Sequence, residues 1–468
     1  MKAVIVGAGA VGLQIAKQLV DEKKDVVLIE KDNERARLAG NRLDCIVLAR
    51  EGNSLEVLRE AGVGTADFFI AVTGSDEVNM ISCALVESEF AKPYKIARVR
   101  NVDYSSSRVG QKGLLGIDYI VNPEIVAARA IIRTIEHGAI SDIMLFEQSR
   151  VQMRHLTVDS GSAFADQTLS ELGTSLPMNF LVAIVLRRNQ FIIPSGKTVI
   201  RPGDTLYVVA TQETFDELYE RLGKRKADLR RIVIVGGGKV GQRVASYLLE
   251  GQRRDNTIVR RLVGAFSEER RRSVKIVDRD YNRCKELSQA LPGALVIHGD
   301  ISDEGVFEEE HFGNSDLVIA VTGNQELNIV SAVYGKNRGI KRSVALVNKT
   351  NYTRIAAQLG IDVPVSLKNS MVNSILKLVR RGNVKSMHSI PEGDLEVLEI
   401  SVDDESDAVG RQIKDLRLPQ SSLVVSVLRA DETFVPDGAY RLQARDHIIV
   451  IARLEHIEQI QALFTSST

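Results

Sequence analysis

The sequence predicts an α/β protein built from two doubly wound parallel sheets, each followed by a smaller α+β domain. Three observations carry this. Short runs rich in Val and Ile alternate with helical segments. A glycine-rich turn, "VIVGAGAVG", follows the first run and returns as "VIVGGGKVG" in the second half. Longer stretches also recur, "ADFFIAVTGSDEVNM" against "SDLVIAVTGNQELNI" and "PSGKTVIRPGDTLYVVA" against "PDGAYRLQARDHIIVIA". A repeat of this length marks a duplicated design, and strands separated by helices imply a sheet covered on both faces.

In chain order, the runs "KAVIVG", "DVVLIE", "CIVLAR", "DFFIAVT", "KIARVR" and "DYIVN" are the six expected strands of the first sheet. Pro123 opens a helix expected to reach about His137, because proline suits the first helical position. Beyond residue 150 the strands shorten and the turns tighten ("PSG", "RPGD"), which reads as a separate small domain. The basic segment Arg221 to Arg231 reads as the linker between halves. The expected domains are therefore 1–140, 141–225, 230–385 and 386–468, the odd ones Rossmann-like.

Each glycine has a job. The first permits the tight strand-to-helix turn, the second lets a pyrophosphate approach the backbone, and the third lets helix and strand pack closely. Both copies follow an expected strand and precede an expected helix, the context the motif needs. The candidate cofactor-binding residues are Gly7, Ala8, Gly9, Ala10, Val11 and Gly12, and in the second half Gly236, Gly237, Gly238, Lys239, Val240 and Gly241. Glu30 and Asp278 end the second strand of each sheet, where a carboxylate accepts ribose hydroxyls and repels a 2′-phosphate, favouring NAD or adenosine nucleotides. Asn53 and Asp300 follow the third strand, within reach of an adenine edge, and Thr73, with Gly74, and Thr322 end the fourth, at the mouth of the same crevice.

Lys plus Arg and Asp plus Glu both number 61, so whole-chain charge gives no support to nucleic-acid binding. The apolar runs are strand-sized, too short to span a membrane. Cys45, Cys83 and Cys284 are too few and too scattered for a disulfide framework or a zinc site, as in a reducing cytosol. The seven histidines (His137, His155, His298, His311, His388, His447, His456) sit in no motif with an orienting carboxylate. No serine nucleophile elbow, P-loop lysine or metal-ligand cluster is legible. Nucleotide binding without chemistry is the reading that results, with an NAD-dependent oxidoreductase as the alternative.

Duplicated "VIVGAGAVG…LIEKD…FFIAVTGSDEVNM…IARVRN", each followed by a small domain with a "RPGDTLYVV"-type stretch, resembles the TrkA family, the cytosolic regulatory subunits of bacterial Trk potassium uptake systems. The resemblance covers essentially the whole chain. It implies tandem RCK (KTN) and RCK-C domains and a ring, expected to be a homotetramer, beneath a potassium-translocating TrkH-like membrane subunit. The protein would then be cytoplasmic and peripheral on the inner face of the membrane, with NAD(H) or ATP/ADP setting transport activity; the same module serving another transporter or channel is the nearest alternative. Arg98 lies in the "IARVRN" stretch and is a candidate phosphate contact, whereas the second half reads "VALVNKTNY" with no matching arginine. Some relatives carry a basic residue between the second and third glycines; here that position is Ala10 in one half and Lys239 in the other. The second half is accordingly expected to prefer ATP or ADP and the first NAD(H), the alternative being that Lys239 points into solvent and the second site is empty or takes NAD as well. A 19-residue insertion between Gly241 and Asp278 holds Arg253, Arg254, Arg260, Arg261, Arg270, Arg271 and Arg272, read either as a solvated loop or as a contact for anionic lipid or a partner.

Overall fold

A computed structural model describes residues 1–101, 104, 114–136, 143–146, 149–176, 178–188, 190–221, 229–254, 272–379, 384–390, 395–430 and 432–465. Most of the basic linker and of the arginine-rich insertion lies outside the described residues. The chain divides into two units, 1–141 with 227–376 and 142–226 with 377–468.

The first unit contains both Rossmann-like halves. In the first, β1 (Lys2–Val6), α1 (Ala10–Asp21), β2 (Asp25–Ile29), α2 (Asn33–Gly40), β3 (Ile46–Leu48), α3 (Leu55–Glu60), β4 (Phe68–Ala71), α4 (Asp76–Glu89), β5 (Tyr94–Arg98), β6 (Tyr119–Val121) and α5 (Pro123–Glu136) follow in order. The six strands make one parallel sheet in the order β3-β2-β1-β4-β5-β6. Strand order reverses between β1 and β4, and a crevice opens there at the carboxyl ends of the strands. Residues 3–6 of β1 are buried on both faces, which is why the strand reads as an unbroken apolar run. Helix α1 buries Gly12, Ile15, Ala16 and Leu19, one stripe at helical spacing. Asp32 and Ser75 cap α2 and α4 through their side chains.

The second half of the chain repeats this order after the first small domain. That domain comprises β7 (Ile143–Leu145), β8 (Val151–Thr157), α6 (Leu169–Ser175), β9 (Phe180–Arg187), β10 (Gln190–Ile192), β11 (Thr205–Thr211) and α7 (Gln212–Arg221). Next come β12 (Arg231–Val235), α8 (Lys239–Arg254), β13 (Ser273–Asp278), α9 (Tyr281–Ala290), β14 (Leu295–His298), α10 (Glu304–Glu309), β15 (Leu317–Ala320), α11 (Gln325–Asn337), β16 (Arg342–Val347), α12 (Thr350–Gln358), β17 (Val363–Ser366) and α13 (Leu367–Val379). Their sheet is again parallel, β14-β13-β12-β15-β16-β17. The last small domain holds β18 (Val384–Ile390), β19 (Leu395–Ser401), β20 (Leu423–Arg429), β21 (Glu432–Phe434), β22 (His447–Arg453) and α14 (Ile457–Phe464).

The halves of the first unit share a core. Ala127, Ala128, Ile131 and Ile135 of α5 belong to the same apolar cluster as Ile232, Ile234, Val244, Ala245 and Leu248 of the second half. The last helix of the first half therefore completes the second, and the Tyr247 hydroxyl bonds Glu136 at the end of that contact. In the second unit the two small domains pair likewise. Their antiparallel sheets, β10-β9-β11-β8-β7 and β18-β19-β22-β20-β21, have the same topology. Met153, Ile184 and Val209 from one share a cluster with Val397, Val425 and Ile449 from the other. The same bidentate ion pair locks each sheet to its preceding turn, Arg187 Nε to Asp204 at 2.8 Å and Arg429 Nε to Asp446 at 2.8 Å.

One carboxylate ties together the amino ends of the central strands in each parallel sheet. Asp67 accepts the Lys2 backbone N–H at 2.8 Å, and Asp316 accepts that of Arg231 at 2.8 Å together with Lys341 Nζ at 2.9 Å. Burial by itself would raise the Asp316 carboxyl, but the Arg231 N–H, the Lys341 ammonium and the Arg230 N–H outweigh it and hold the group at about 2. The folded pKa lies below the ordinary 3.8, so the stabilisation is complete above pH 4 and is lost as pH falls from about 4 through about 2. Its size is about 2 kcal/mol. Asp316→Asn is expected to lower the urea midpoint at pH 7 and to flatten the loss of stability between pH 4 and pH 2, followed by denaturation at each pH.

Candidate functional site

A cavity of about 610 Å³ lies over the first glycine turn, within the size range of small-molecule sites. Its floor is Gly7, Gly9, Ala10 and Val11; Glu30, Lys31, Arg35 and Asn53 form one end, and Thr73, Gly74 and Arg98 the other. Gly7 has φ +104, a conformation that favours glycine. A Cβ at Gly12 would lie 1.9 Å from the Gly7 carbonyl oxygen, so this glycine serves helix-to-strand contact and does not line the cavity. Gly9 precedes α1 with no side-chain cap, leaving the first-turn N–H groups of the helix unclaimed by it. Ala8 is also outside the wall; its N–H is held by Glu30 Oε2 at 2.6 Å. Glu30 Oε1 accepts the Asp32 N–H at 3.1 Å, so the carboxylate is aimed by two backbone donors.

The far end is organised by Asn79, which the sequence reading did not single out. Asn79 is fully buried and accepts the Thr73 N–H at 2.8 Å and the Thr73 hydroxyl at 2.7 Å, while its amide donates to the Arg98 carbonyl at 2.8 Å. It thus fixes the ends of β4 and β5 against each other. The second half repeats the arrangement with Asn328, Thr322 and Leu346. The signal was present in the sequence, since both halves share an Asn six residues beyond this Thr. The Arg98 guanidinium donates through Nη1 to the Thr73 carbonyl at 3.2 Å, and its Nε is buried with no hydrogen-bond partner among the described residues. Burial and then the nearby Arg100 push the guanidinium below its ordinary value, offset in part by Asp76 and Glu124. An arginine so placed can receive an anion.

The wall of this cavity is shared. Asn348, Leu367, Lys368 and Met371 from the second Rossmann-like half line it.

The second glycine turn carries a cavity of about 180 Å³, formed around Gly236, Gly238, Asp278, Asp300 and Thr322. The backbone matches the first turn: Gly236 has φ +103, and Asp278 accepts the Gly237 N–H at 2.7 Å and the Asp280 N–H at 2.9 Å. The side chains differ. Arg283 Nη1 reaches both Asp278 oxygens, at 3.2 and 3.3 Å. Burial acts to raise the Asp278 carboxyl, yet the Asp280 and Gly237 N–H groups and the Arg283 guanidinium hold it below the usual carboxylate range. Asp300 is paired with Arg279 and accepts Ser302 N at 3.0 Å. Gly237, Lys239, Val240 and Gly241 do not line this cavity, and Lys239, the first residue of α8, is exposed. A ribose here would have to compete with Arg283 for the carboxylate. The matching position in the first half, Arg35, lines the open cavity.

Residues 3–123 and 256–367 match the TrkA-N domain family, and residues 153–223 and 397–465 the TrkA-C domain family. The chain is 33% identical over 474 residues to the Trk system potassium uptake protein TrkA of Halomonas elongata, covering 99% of this chain and 98% of that protein. The chain belongs to the TrkA family. The TrkA protein of Haemophilus influenzae is 29% identical over 474 residues, covering 100% of this chain and 99% of that one. Among solved structures, the GsuK RCK domain aligns with a TM-score of 0.54 at 19% identity, covering 100% of this chain and 95% of that one. The GsuK channel bound to NAD aligns at 0.54 and 19%, covering 100% and 79%. These structures establish the RCK fold for this TrkA-family chain. No described helix is long and apolar enough to cross a membrane, and no described His, Cys, Asp and Glu side chains group as a metal site.

Replacing Asn79 with alanine should leave the Thr73 N–H and the Arg98 carbonyl without partners. The expected cost is about 1–3 kcal/mol, read as a lowered melting temperature by calorimetry.

Proposed function

We propose that this protein is a regulatory nucleotide-binding subunit that controls a potassium-translocating membrane partner of the TrkH type, and that NAD(H) bound in the first half is one of its inputs. The observation that carries this reading is the 610 Å³ cavity over Gly7, with Glu30 at its ribose end and the buried, unpartnered Arg98 Nε opposite. The residues fit a dinucleotide. Glu30 is aimed to accept ribose hydroxyls, the turn from Gly7 to Gly9 and the start of α1 offer backbone N–H groups to a pyrophosphate, Asn53 borders the adenine end, and Arg98 supplies a guanidinium. The NAD-bound GsuK channel, which shares this fold, supports the choice of ligand. The Trk system names of the curated relatives support potassium uptake as the process served.

The same first site accommodates ATP or ADP, whose adenosine end is chemically that of NAD. For the second half the support is thinner, because its cavity is smaller, its carboxylate is already paired and Lys239 lies at the surface. The ligand acts by preferring one of two packings of an oligomer, which requires more than one chain; a cytoplasmic homotetramer docked on the inner face of the membrane through its partner fits that need. Light scattering is expected to give the mass of four chains.

Glu30→Ala should weaken NADH binding about 10- to 150-fold, the loss of charge-assisted hydrogen bonds worth about 1.5–3 kcal/mol. Calorimetry on the full chain measures it, and unchanged affinity would remove Glu30 from the site.

A further inference from the structure

The two crevices hold their ribose carboxylates in one backbone frame and differ in what else reaches them. Glu30 and Asp278 are both buried, and each accepts two backbone N–H groups. Five residues further on, each half carries an arginine in the first turn of the next helix, Arg35 in α2 and Arg283 in α9. Their backbones are anchored alike. The Arg35 N–H donates to the capping carboxylate of Asp32 at 2.9 Å, and the Arg283 N–H to that of Asp280 at 3.1 Å. Arg35 nevertheless stands in the wall of the open cavity, whereas the Arg283 guanidinium turns back onto Asp278.

A carboxylate has about four lone-pair positions to offer to donors. Among the described residues, Glu30 gives one to the Ala8 N–H and one to the Asp32 N–H, which leaves capacity for two ribose hydroxyls in the cavity it lines. Asp278 gives one to the Gly237 N–H and one to the Asp280 N–H, and Arg283 Nη1 then bridges both of its oxygens at 3.2 and 3.3 Å. No capacity is left for a ribose. The stem adds bulk at the same place: Arg283 Cδ lies 3.6 Å from the point where a Cβ at Gly237 would stand, beside the glycine turn itself. The cavity there is about 180 Å³, against about 610 Å³ in the first half. The hydrogen bond to Asp278 and the charge of that carboxylate lift the Arg283 guanidinium above its ordinary value. A ligand that needs the carboxylate must first break this contact, and a competing internal partner of this kind sets specificity as effectively as a favourable contact does.

We propose that Arg283 is the specificity determinant that closes the second crevice to adenosine nucleotides, by occupying the ribose acceptor Asp278, so that each chain takes one such ligand, in its first half. This rests on the reading of the first cavity as a nucleotide site. The rest of the second crevice keeps the nucleotide frame: Gly236 holds the left-handed turn, the Gly237 N–H holds Asp278, and Asn328 holds Thr322. Removal of one side chain should therefore restore a site that the duplicated backbone still encodes. Arg279 pairs with Asp300 in the same crevice, at the position where the first half has Asn53. That pair leaves Asp278 untouched and makes Arg279 the natural control.

The test is calorimetry on the full-length protein with ADP as the probe. The parent should take one ADP per chain. Arg283→Ala and Arg283→Ser, which keep the backbone N–H that bonds Asp280, should each take a second, at least about tenfold more tightly than any second event in the parent, as expected when a charge-assisted contact no longer competes. Their first event should be unchanged, which also reports that the fold persists. Arg279→Ala should still take one. Combining Glu30→Ala with Arg283→Ala should leave the new event as the tighter one, which places it in the second half. Two events of similar affinity in the parent would overturn the assignment of Arg283, as would a single event in both Arg283 variants, or a second event gained in Arg279→Ala. If the parent takes no ADP, the nucleotide reading of the first cavity fails; one event gained in the Arg283 variants would then still uphold the role of this arginine, and none would overturn both.

Discussion

The first unit depends on the burial of α5 against the second sheet. A lone Rossmann-like half would have to bury the apolar face of Ala127, Ile131 and Ile135 on itself. Here that face joins the core of Ile232, Val244 and Leu248 instead. Each fully buried aliphatic side chain contributes about 1.5–3 kcal/mol. The contact therefore holds the two halves together in one unit. The consequence for function is local. Once the halves are joined, residues of the second can stand in the wall of the first cavity, and Leu367, Lys368 and Met371 do.

Duplication then allowed the halves to diverge without losing the frame. The backbone of the two turns is almost the same, with Gly7 at φ +104 and Gly236 at φ +103, and Asn79 and Asn328 pin Thr73 and Thr322 in the same manner. What differs is side-chain chemistry around a shared scaffold. In one half the carboxylate of Glu30 meets two backbone donors and an open cavity; in the other Asp278 meets the same donors and also Arg283. Both halves carry an arginine five residues beyond the carboxylate; Arg35 stands in the wall of the first cavity, whereas Arg283 turns onto Asp278 and occupies it. The small domains show the opposite tendency. Arg187–Asp204 and Arg429–Asp446 are retained as matching bidentate pairs, because both sheets need the same turn anchored.

Much of this molecule was determined by local rules visible in the sequence. Continuous Val/Ile runs between helices specify parallel strands because both faces are covered, and the glycine turn specifies its own backbone because few other residues tolerate φ near +100. Gly7, Glu30, Asn53 and Thr73 were recognisable as one crevice because sheet order brings the carboxyl ends of β1 to β4 together, Arg98 was singled out by the family resemblance, and the structure places all five in one cavity wall. The repeat itself announced two halves. Tertiary structure alone decided how those halves are used. Lys239, attractive by its place in the motif, is turned outward, and Arg283, unremarkable in the sequence, takes the carboxylate. Lys368 lies 361 positions from Gly7 along the chain, and only the packing of the two halves into one unit puts both in the wall of the same cavity. Periodicity and spacing encode contacts within one supersecondary unit, whereas contacts between units depend on which apolar faces find each other, and that choice is made by packing.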